Sequence, residues 1–369
     1  MRMLKEIAYR CFVHTGLTWV AARLNRKKAV VLEYHGVYAG ELDPVLNFDG
    51  LHVHVERFAQ QLRYLAAHYD VVPLDELLES PVGSRRGKPL AAITLDDGYK
   101  NVHRDAYPVL RSLGLPATVF VVTDFLLHGR IFWWDRLRAL VAATTRSTVR
   151  VHIPGAPQWL PLVTVQHRQA TLRQLTRILR GMPSGPREDL ISRLAADLAV
   201  EERETPSCAP MSVDELREMT AGGISVGSHG CSHDSFLHMG GEDLRRELIE
   251  SKRVLELVTD RPITWLCYPY GDFSPTMADA VIRAGYRGAV TTLAGLNDGI
   301  PHPYAVRRIG VNDHITFPQF IVAVSGLRDF LKSLLRLRSP RSRLAMLDRL
   351  RPRRPEGRYA GDARDRGPA

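Results

Sequence analysis

At 369 residues the chain has room for one large domain or two ordinary ones, and its 45% hydrophobic and 24% charged residues are those of a globular protein. The net charge of +10 raises nucleic acid and anionic membrane as partners, but from Lys332 onward there are 12 Lys or Arg against 4 Asp or Glu, which leaves a surplus of only 2 in the first 331 residues. That distribution argues against nucleic acid as a partner, and four cysteines without a C-x-x-C pair exclude a disulfide scaffold. No run is apolar enough to span a bilayer and no secretory leader is legible, so a cytoplasmic location is expected.

In chain order, residues 3–24 have helical apolar spacing, and an N-terminal helix over 1–28 is expected to dock on the domain or lie on a membrane surface. Ala29–Glu33 reads as a strand ending in Tyr34-His35-Gly36, and Val55–His68 as a helix. A short strand at Val71-Val72 and a short helix at Leu74–Leu78 lead to a loop over 81–89. The apolar run Leu90–Thr94 is a strand that ends in Leu95-Asp96-Asp97-Gly98, Val102–Leu113 a helix closed by Gly114, and Ala117–Val122 another strand. This alternation predicts parallel strands joined by right-handed crossovers.

Residues 126–210 break the rhythm with helices at 133–143, 168–179 and 187–198 and a β-like piece at 149–153, so they read as a mainly helical insertion. Alternation resumes with a capping box at Ser212–Glu215, a strand at Ile224–Ser228 ending at His229, and a helix at Glu242–Val258. A strand at Ile263–Tyr268 runs into Pro269-Tyr270-Gly271, followed by a helix at Ser274–Ala284 and strands at Gly288–Thr292 and Ala305–Ile309. The fold class is therefore α/β, with about seven parallel strands and polar residues gathered past their carboxyl ends, where such folds bind ligands.

Two of those strand ends carry chemistry. Adjacent carboxylates at Asp96 and Asp97 repel unless a cation or a proton lies between them, although Asp-Asp-Gly alone also makes an ordinary turn. His229 and His233 are four residues apart, so on one turn of helix both rings reach one ion, although such a pair taken alone reads first as two exposed loop histidines. Gly230 excludes an H-E-x-x-H site, and Cys231 is either a further ligand or a small buried neighbour. Together, one carboxylate and two histidines make three protein ligands with open positions, the donor set of a catalytic metal site, and leave the second carboxylate as general base.

These motifs make the chain resemble the polysaccharide deacetylase family, the NodB-homology or carbohydrate esterase 4 group, over 29–326 less the insertion. Thr94-Leu95-Asp96-Asp97-Gly98 is similar to the family's T-F-D-D-G, His229–His233 to its H-[ST]-x-x-H, and Pro269-Tyr270-Gly271 to its third motif. The resemblance implies a distorted (β/α) barrel and a divalent metal, zinc in first place, on Asp97, His229 and His233. It makes Asp96 the base, the Tyr270 N–H an oxyanion donor beside Pro269, and N-acetylated glycan the substrate. The sequence departs from the family at Gly230, which lacks the usual hydroxyl, and at the Arg that normally precedes the third motif's Pro. Arg307 or Arg308 is the candidate to orient Asp96 in its place, an exposed surface role being the alternative for either. With no late Leu-x-His, likeness to exopolysaccharide-type members makes His35 the acid, ahead of His52, His54, His302 and His314.

The resemblance leaves a second possibility, a catalytically inactive carbohydrate-binding relative. Residues 327–369 begin as a basic amphipathic helix able to rest on anionic lipid at the inner face of the membrane, and continue as a disordered tail past Arg351.

Overall fold

A computed structural model describes residues 2–79, 87–153, 156–201, 208–299, 302–328 and 331. Its strands are β1 (Lys28–Tyr34), β2 (Gly36–Tyr38), β3 (His52–His54), β4 (Asp70–Val71), β5 (Leu90–Leu95), β6 (Thr118–Val121), β7 (Thr148–Ile153), β8 (Ala156–Pro161), β9 (Ser225–Ser228), β10 (Trp265–Cys267), β11 (Gly288–Val290), β12 (Asn297–Asp298) and β13 (Ile309–Gly310). The main sheet runs β11-β10-β9-β6-β5-β1-β12, with β13 also on β1 and β4 also on β5. Every pairing in it is parallel except β1 with β12. Because successive strands from β5 to β11 are added on the same side, the sheet curls as a (β/α) barrel does.

One stretch of chain links its two ends. Val306 bridges to Val290 of β11, and three residues later Ile309 and Gly310 pair with Leu32 and Glu33 of β1. Alternate residues of the strands supply two different interiors. Val31, Ala92, Phe120, Trp265, Val290 and Val306 form one buried cluster, while Val30, Leu32, Ile93, Leu95, Val119 and Val121 pack with the helices in the other. Trp265 fills the first cluster by lying over Gly288, where an added Cβ would stand 2.5 Å from its ring. Emptying that centre with Trp265→Ala would cost about 3–5 kcal/mol.

The insertion is mainly helical, as the sequence predicts. Helices Trp133–Ala143, Val165–Arg180 and Ser184–Leu198 bury Leu137, Leu140, Leu172, Leu175, Ile191 and Leu194 among themselves. The second begins three residues earlier than expected because the Thr164 hydroxyl accepts from the His167 N–H. The single β-like piece is a two-stranded hairpin of β7 and β8.

Other differences have local causes. Residues 3–24 form two helices, Arg2–His14 and Leu17–Leu24, because Gly16 takes φ 75° and turns the chain between them. The helix after the Asp-Asp turn opens with a π turn over Val102–Ala106 and becomes α-helical only at Tyr107–Ser112; Pro108 has no N–H to extend the α ladder backwards. The expected strand at Ala305–Ile309 keeps only the Val306 bridge and β13. A helix at Phe317–Val324, capped by Thr316, follows. The expected basic C-terminal helix and tail lie outside the described residues, apart from 327, 328 and 331. Among the described residues no helix is long and apolar enough to cross a membrane.

Candidate active site

Strand β5 is buried to its end, and its last turn is held when the Asp96 N–H donates to Tyr34 O of β1 at 2.9 Å. Asp97 and Gly98 then both take left-handed conformations, with φ 74° and 78°, and turn the chain off the sheet. Both carboxyl groups are left almost wholly buried. Asp96 has an enclosed partner in Arg308, whose Nη1 and Nη2 donate to its two oxygens at 2.7 Å each. The same guanidinium donates from Nη1 to Thr94 Oγ1 and from Nε to Thr291 O, both at 3.0 Å. Burial pushes the Asp96 carboxyl up, and the charge and hydrogen bonds of Arg308 more than reverse that, holding it below its usual range. Arg307 does not reach this site; its guanidinium donates to Ala294 O at 3.3 Å. The Cys267 thiol fills the remaining space, donating to Asp96 Oδ2 at 3.3 Å, and its own pKa is pushed up to about 11 by burial.

Asp97 faces the two histidines. Its Oδ1 lies 3.4 Å from the Nε2 of His229 and 3.4 Å from the Nε2 of His233. His229 Nδ1 is 2.8 Å from Cys267 O and can only donate to that carbonyl, which leaves a lone pair on Nε2 in the neutral ring. With that ring neutral, a lone pair confronts a buried carboxylate oxygen that has no hydrogen-bond partner of its own. Against the opposing effect of burial, Cys267 and the two carboxylates raise the His229 pKa well above its usual value, so the surroundings call for a positive charge at this point. That mismatch is resolved by a cation between the groups, and one carboxylate with two imidazoles is a donor set suited to zinc. The residues fit the expected metal.

The two histidines do not share a helical turn, as the spacing had suggested. His229 extends β9, where its N–H donates to Val121 O, and the loop that follows bends through Gly230 at φ 80° and His233 at φ 60°. Nor does the loop lack support where the family's hydroxyl is missing. Glu247, from the helix Gly241–Thr259, accepts from the Cys231 and Ser232 N–H groups at 2.6 and 3.2 Å, and Ser228 Oγ accepts from the Gly230 N–H at 3.1 Å. A Cβ on Gly230 would stand 3.0 Å from Glu247 Oε2, so here the glycine and the glutamate go together. Cys231 turns its thiol to Glu247 O at 3.6 Å, and burial pushes its pKa up to about 12.

His35 is half-buried between β1 and β2. Its ring, Asp96 and Glu33 bring ligand atoms within 4.8 Å of one another. The rival histidines His52, His54 and His314 have structural occupations. His52 is buried with Nδ1 2.8 Å from Asn101 Nδ2; burial and then the Arg138 charge push its pKa down to about 3. His54 caps the helix Val55–His68, and His314 Nε2 lies 3.2 Å from Phe48 O.

Tyr270 follows Pro269 in a left-handed conformation, φ 59°, with its ring edge-on to His233 at 4.7 Å between centroids. Its hydroxyl accepts from Trp133 Nε1 at 3.0 Å, and the Arg180 guanidinium sits 4.8 Å above the ring. The insertion therefore builds one wall of the site. It is also tied to the catalytic turn from below: Tyr99 OH donates to Asp135 at 2.8 Å, and Asp135 accepts from Arg138 at 2.7 Å. Asp97, His233 and Tyr270 are three of the five non-glycine residues with positive φ among the described residues. Such strain persists only where surrounding structure enforces it, and here it gathers on one site.

With that geometry in view, the family model described as polysaccharide deacetylase matches residues 83–151 and 196–289, the two segments that carry both halves of the site. The chain belongs to the polysaccharide deacetylase family. About half of its insertion falls in the gap between the two matched segments. A curated relative in Bacillus subtilis, YxkH, is 18% identical over 303 residues, covering 82% of this chain and 77% of that one. Among solved structures, the Streptococcus pyogenes deacetylase PplD in complex with acetate superposes with a TM-score of 0.55 at 16% identity, over 80% of this chain and 98% of that one. IcaB from Ammonifex degensii does so with a TM-score of 0.52 at 19% identity, over 81% and 97%. These likenesses carry the fold, and family membership makes the protein a hydrolase of the deacetylase type.

Proposed function

We propose that the protein removes N-acetyl groups from a glycan in a reaction that depends on a divalent metal held by Asp97, His229 and His233. The observation that carries the reading is the bare Asp97 oxygen facing two imidazole nitrogens, with a second carboxylate beside it that Arg308 keeps charged. When bound, the cation would polarise the acetamide carbonyl and ease deprotonation of the attacking water. Asp96 takes that proton; the paired guanidinium fixes the orientation of its carboxylate and keeps it ready to accept. The Tyr270 N–H, set by the left-handed turn after Pro269, donates to the oxyanion. His35, whose ring nitrogen lies within 4.8 Å of a carboxylate oxygen of Asp96, gives a proton to the departing amine.

Sugar units flanking the reacting one would occupy a cavity of about 1310 Å³ between the insertion and the ligand loop, lined by Trp133, Arg187, Asp124, Ser232 and Asp234 and by none of Asp96, Asp97, His229, His233 and Tyr270. That volume exceeds the range typical for one small ligand, which suits an oligomeric or polymeric chain. PplD, a deacetylase seen with acetate, supports acetate as the released product. An inactive carbohydrate-binding relative was suggested by the missing motif arginine, and Arg308 on Asp96 removes that ground.

Acetate release from N-acetylglucosamine oligomers and from O-acetylated xylan, with and without chelator, tests the proposal. The expected result is acetate from the N-acetyl substrate, lost with chelator, restored by zinc and absent in Asp96→Asn. Unchanged turnover in Asp96→Asn, or in the thoroughly chelated enzyme, would refute it.

A further inference from the structure

The two N-terminal helices, Arg2–His14 and Leu17–Leu24, lie along the helix Phe317–Val324. Glu6 Oε2 accepts from the Thr316 hydroxyl at the start of that helix at 2.9 Å, and Asn25 Nδ2 donates to Ser325 O at its end at 3.1 Å. Tyr9, Phe12 and Ala21 face inward onto Val322 and Leu327.

Docking of the pair leaves an apolar outer surface. Met3, Leu4, Ile7, Leu17, Trp19, Val20 and Leu24 are exposed, Trp19 by 63% and Leu24 by 76%. They are seven of the fifteen exposed large hydrophobic residues among the described residues. Single exposed apolar residues need no explanation, but a concentration of this kind within two short helices marks a contact surface.

The charge around it is one-sided. Residues 1–28 carry seven Lys or Arg and one acidic residue, Glu6, which is already engaged by Thr316 and Arg10. Leu331 packs into the same small cluster as Tyr9, Phe12 and Ala21, and the sequence from Lys332 onward carries 12 Lys or Arg. Residues 29–331, by contrast, hold 31 Lys or Arg against 35 Asp or Glu.

We propose that this face docks on an anionic membrane surface. Basic residues bordering exposed Leu, Ile and Trp fit a bilayer interface, where the charges meet anionic headgroups and the apolar side chains enter the acyl boundary. Trp19 suits that depth, having an apolar body and one polar edge. A second copy of this chain would bring like charge to the contact, and a nucleic acid would leave the apolar residues unused. The loop before Thr316 leaves β13 at the carboxyl edge of the barrel, so the first helix begins on the side where the site opens. Docking would therefore hold the site beside the bilayer.

The full chain would be floated with vesicles of phosphatidylcholine alone and with about 30% phosphatidylglycerol. The comparison variant carries Leu4→Gln, Trp19→Gln and Leu24→Gln, three exposed positions outside the active site. The wild type should bind the anionic vesicles, release from them between about 0.1 and 0.5 M NaCl, and bind at least about tenfold more tightly than the variant. Equal binding by the variant, or equal binding to neutral vesicles, overturns the proposal. A lipid-free dimer that the variant disperses assigns the face to a second copy and overturns it as well. Acetate release from a soluble oligomer should be unchanged in the variant, which separates this result from the fate of the deacetylase reading.

Discussion

Arg308→Met removes a cation enclosed on every side while keeping much of its volume. In the wild type its guanidinium holds both Asp96 oxygens, Thr94 Oγ1 and Thr291 O, and its Nη2 lies 3.5 Å from Glu33. Methionine leaves a buried carboxylate without its counter-charge, and breaking a buried pair from one side costs about 3–5 kcal/mol. At the few degrees per kcal/mol usual for domains of this order, the melting temperature should fall by roughly 10 °C in scanning calorimetry. Adding Asp96→Asn removes the stranded charge, so the double variant should be more stable than Arg308→Met alone. The pH dependence has a definite sign. In the wild type the Asp96 carboxyl lies below its unfolded value of about 3.9, so the pair's contribution is complete above that pH and is lost as pH falls through the lowered pKa. In the variant burial is opposed only by His229 and His35, so the carboxyl's pKa rises relative to wild type and the stability gap to wild type should narrow as pH falls from 7 towards 4. A double variant no more stable than Arg308→Met, or a gap independent of pH, would refute the account of Asp96 as a charge stabilised by Arg308.

Gly230→Ser restores the family's usual residue and should nevertheless harm this chain, because a left-handed backbone costs a side chain about 1–2 kcal/mol and its Cβ would press on Glu247; zinc titration and melting temperature would show it. Glu247→Gln loosens the ligand loop from behind, so metal affinity should fall about 10–100-fold by competition with a chromophoric chelator, with the fold retained. His35→Gln should lower kcat by about 10²–10⁴ while metal content by emission spectroscopy stays at wild-type level. Loss of metal in that variant would place His35 among the ligands instead.

The parallel sheet and the positions of its chemistry were legible because buried strands are short apolar runs, and charged residues just past them stand out. Asp96, Asp97, His229 and His233 could be singled out in that way and the structure gathers them within one site. The shape of the His229–His233 loop was not legible. Its ring directions depend on left-handed backbone at Gly230 and His233, and nothing in His233 as a residue type announces that. Glu247 and Arg308 were hidden for a different reason. Each acts on a residue far away in the chain, and on its own helix or strand each looks like an ordinary surface charge. Arg308 stands out in the sequence only because the usual arginine is missing, and on sequence alone Arg307 fits that place as well. In the insertion, helical periodicity showed the helices but gave no sign that Trp133 and Arg180 would bear on Tyr270.

The segment from Val306 to Val311 joins β11 to β1 and, between those two attachments, delivers Arg308 to Asp96. Closure of the barrel and the fixing of Asp96, the proposed base, are thus a single event. A molecule whose last strand has peeled away, whether newly made, heated or nicked, loses the grip on Asp96 at the same moment as its seam opens. Such a molecule would be silent rather than poorly selective. Catalytic output should therefore decline before helix content does on gentle heating, and return only when the seam has zipped.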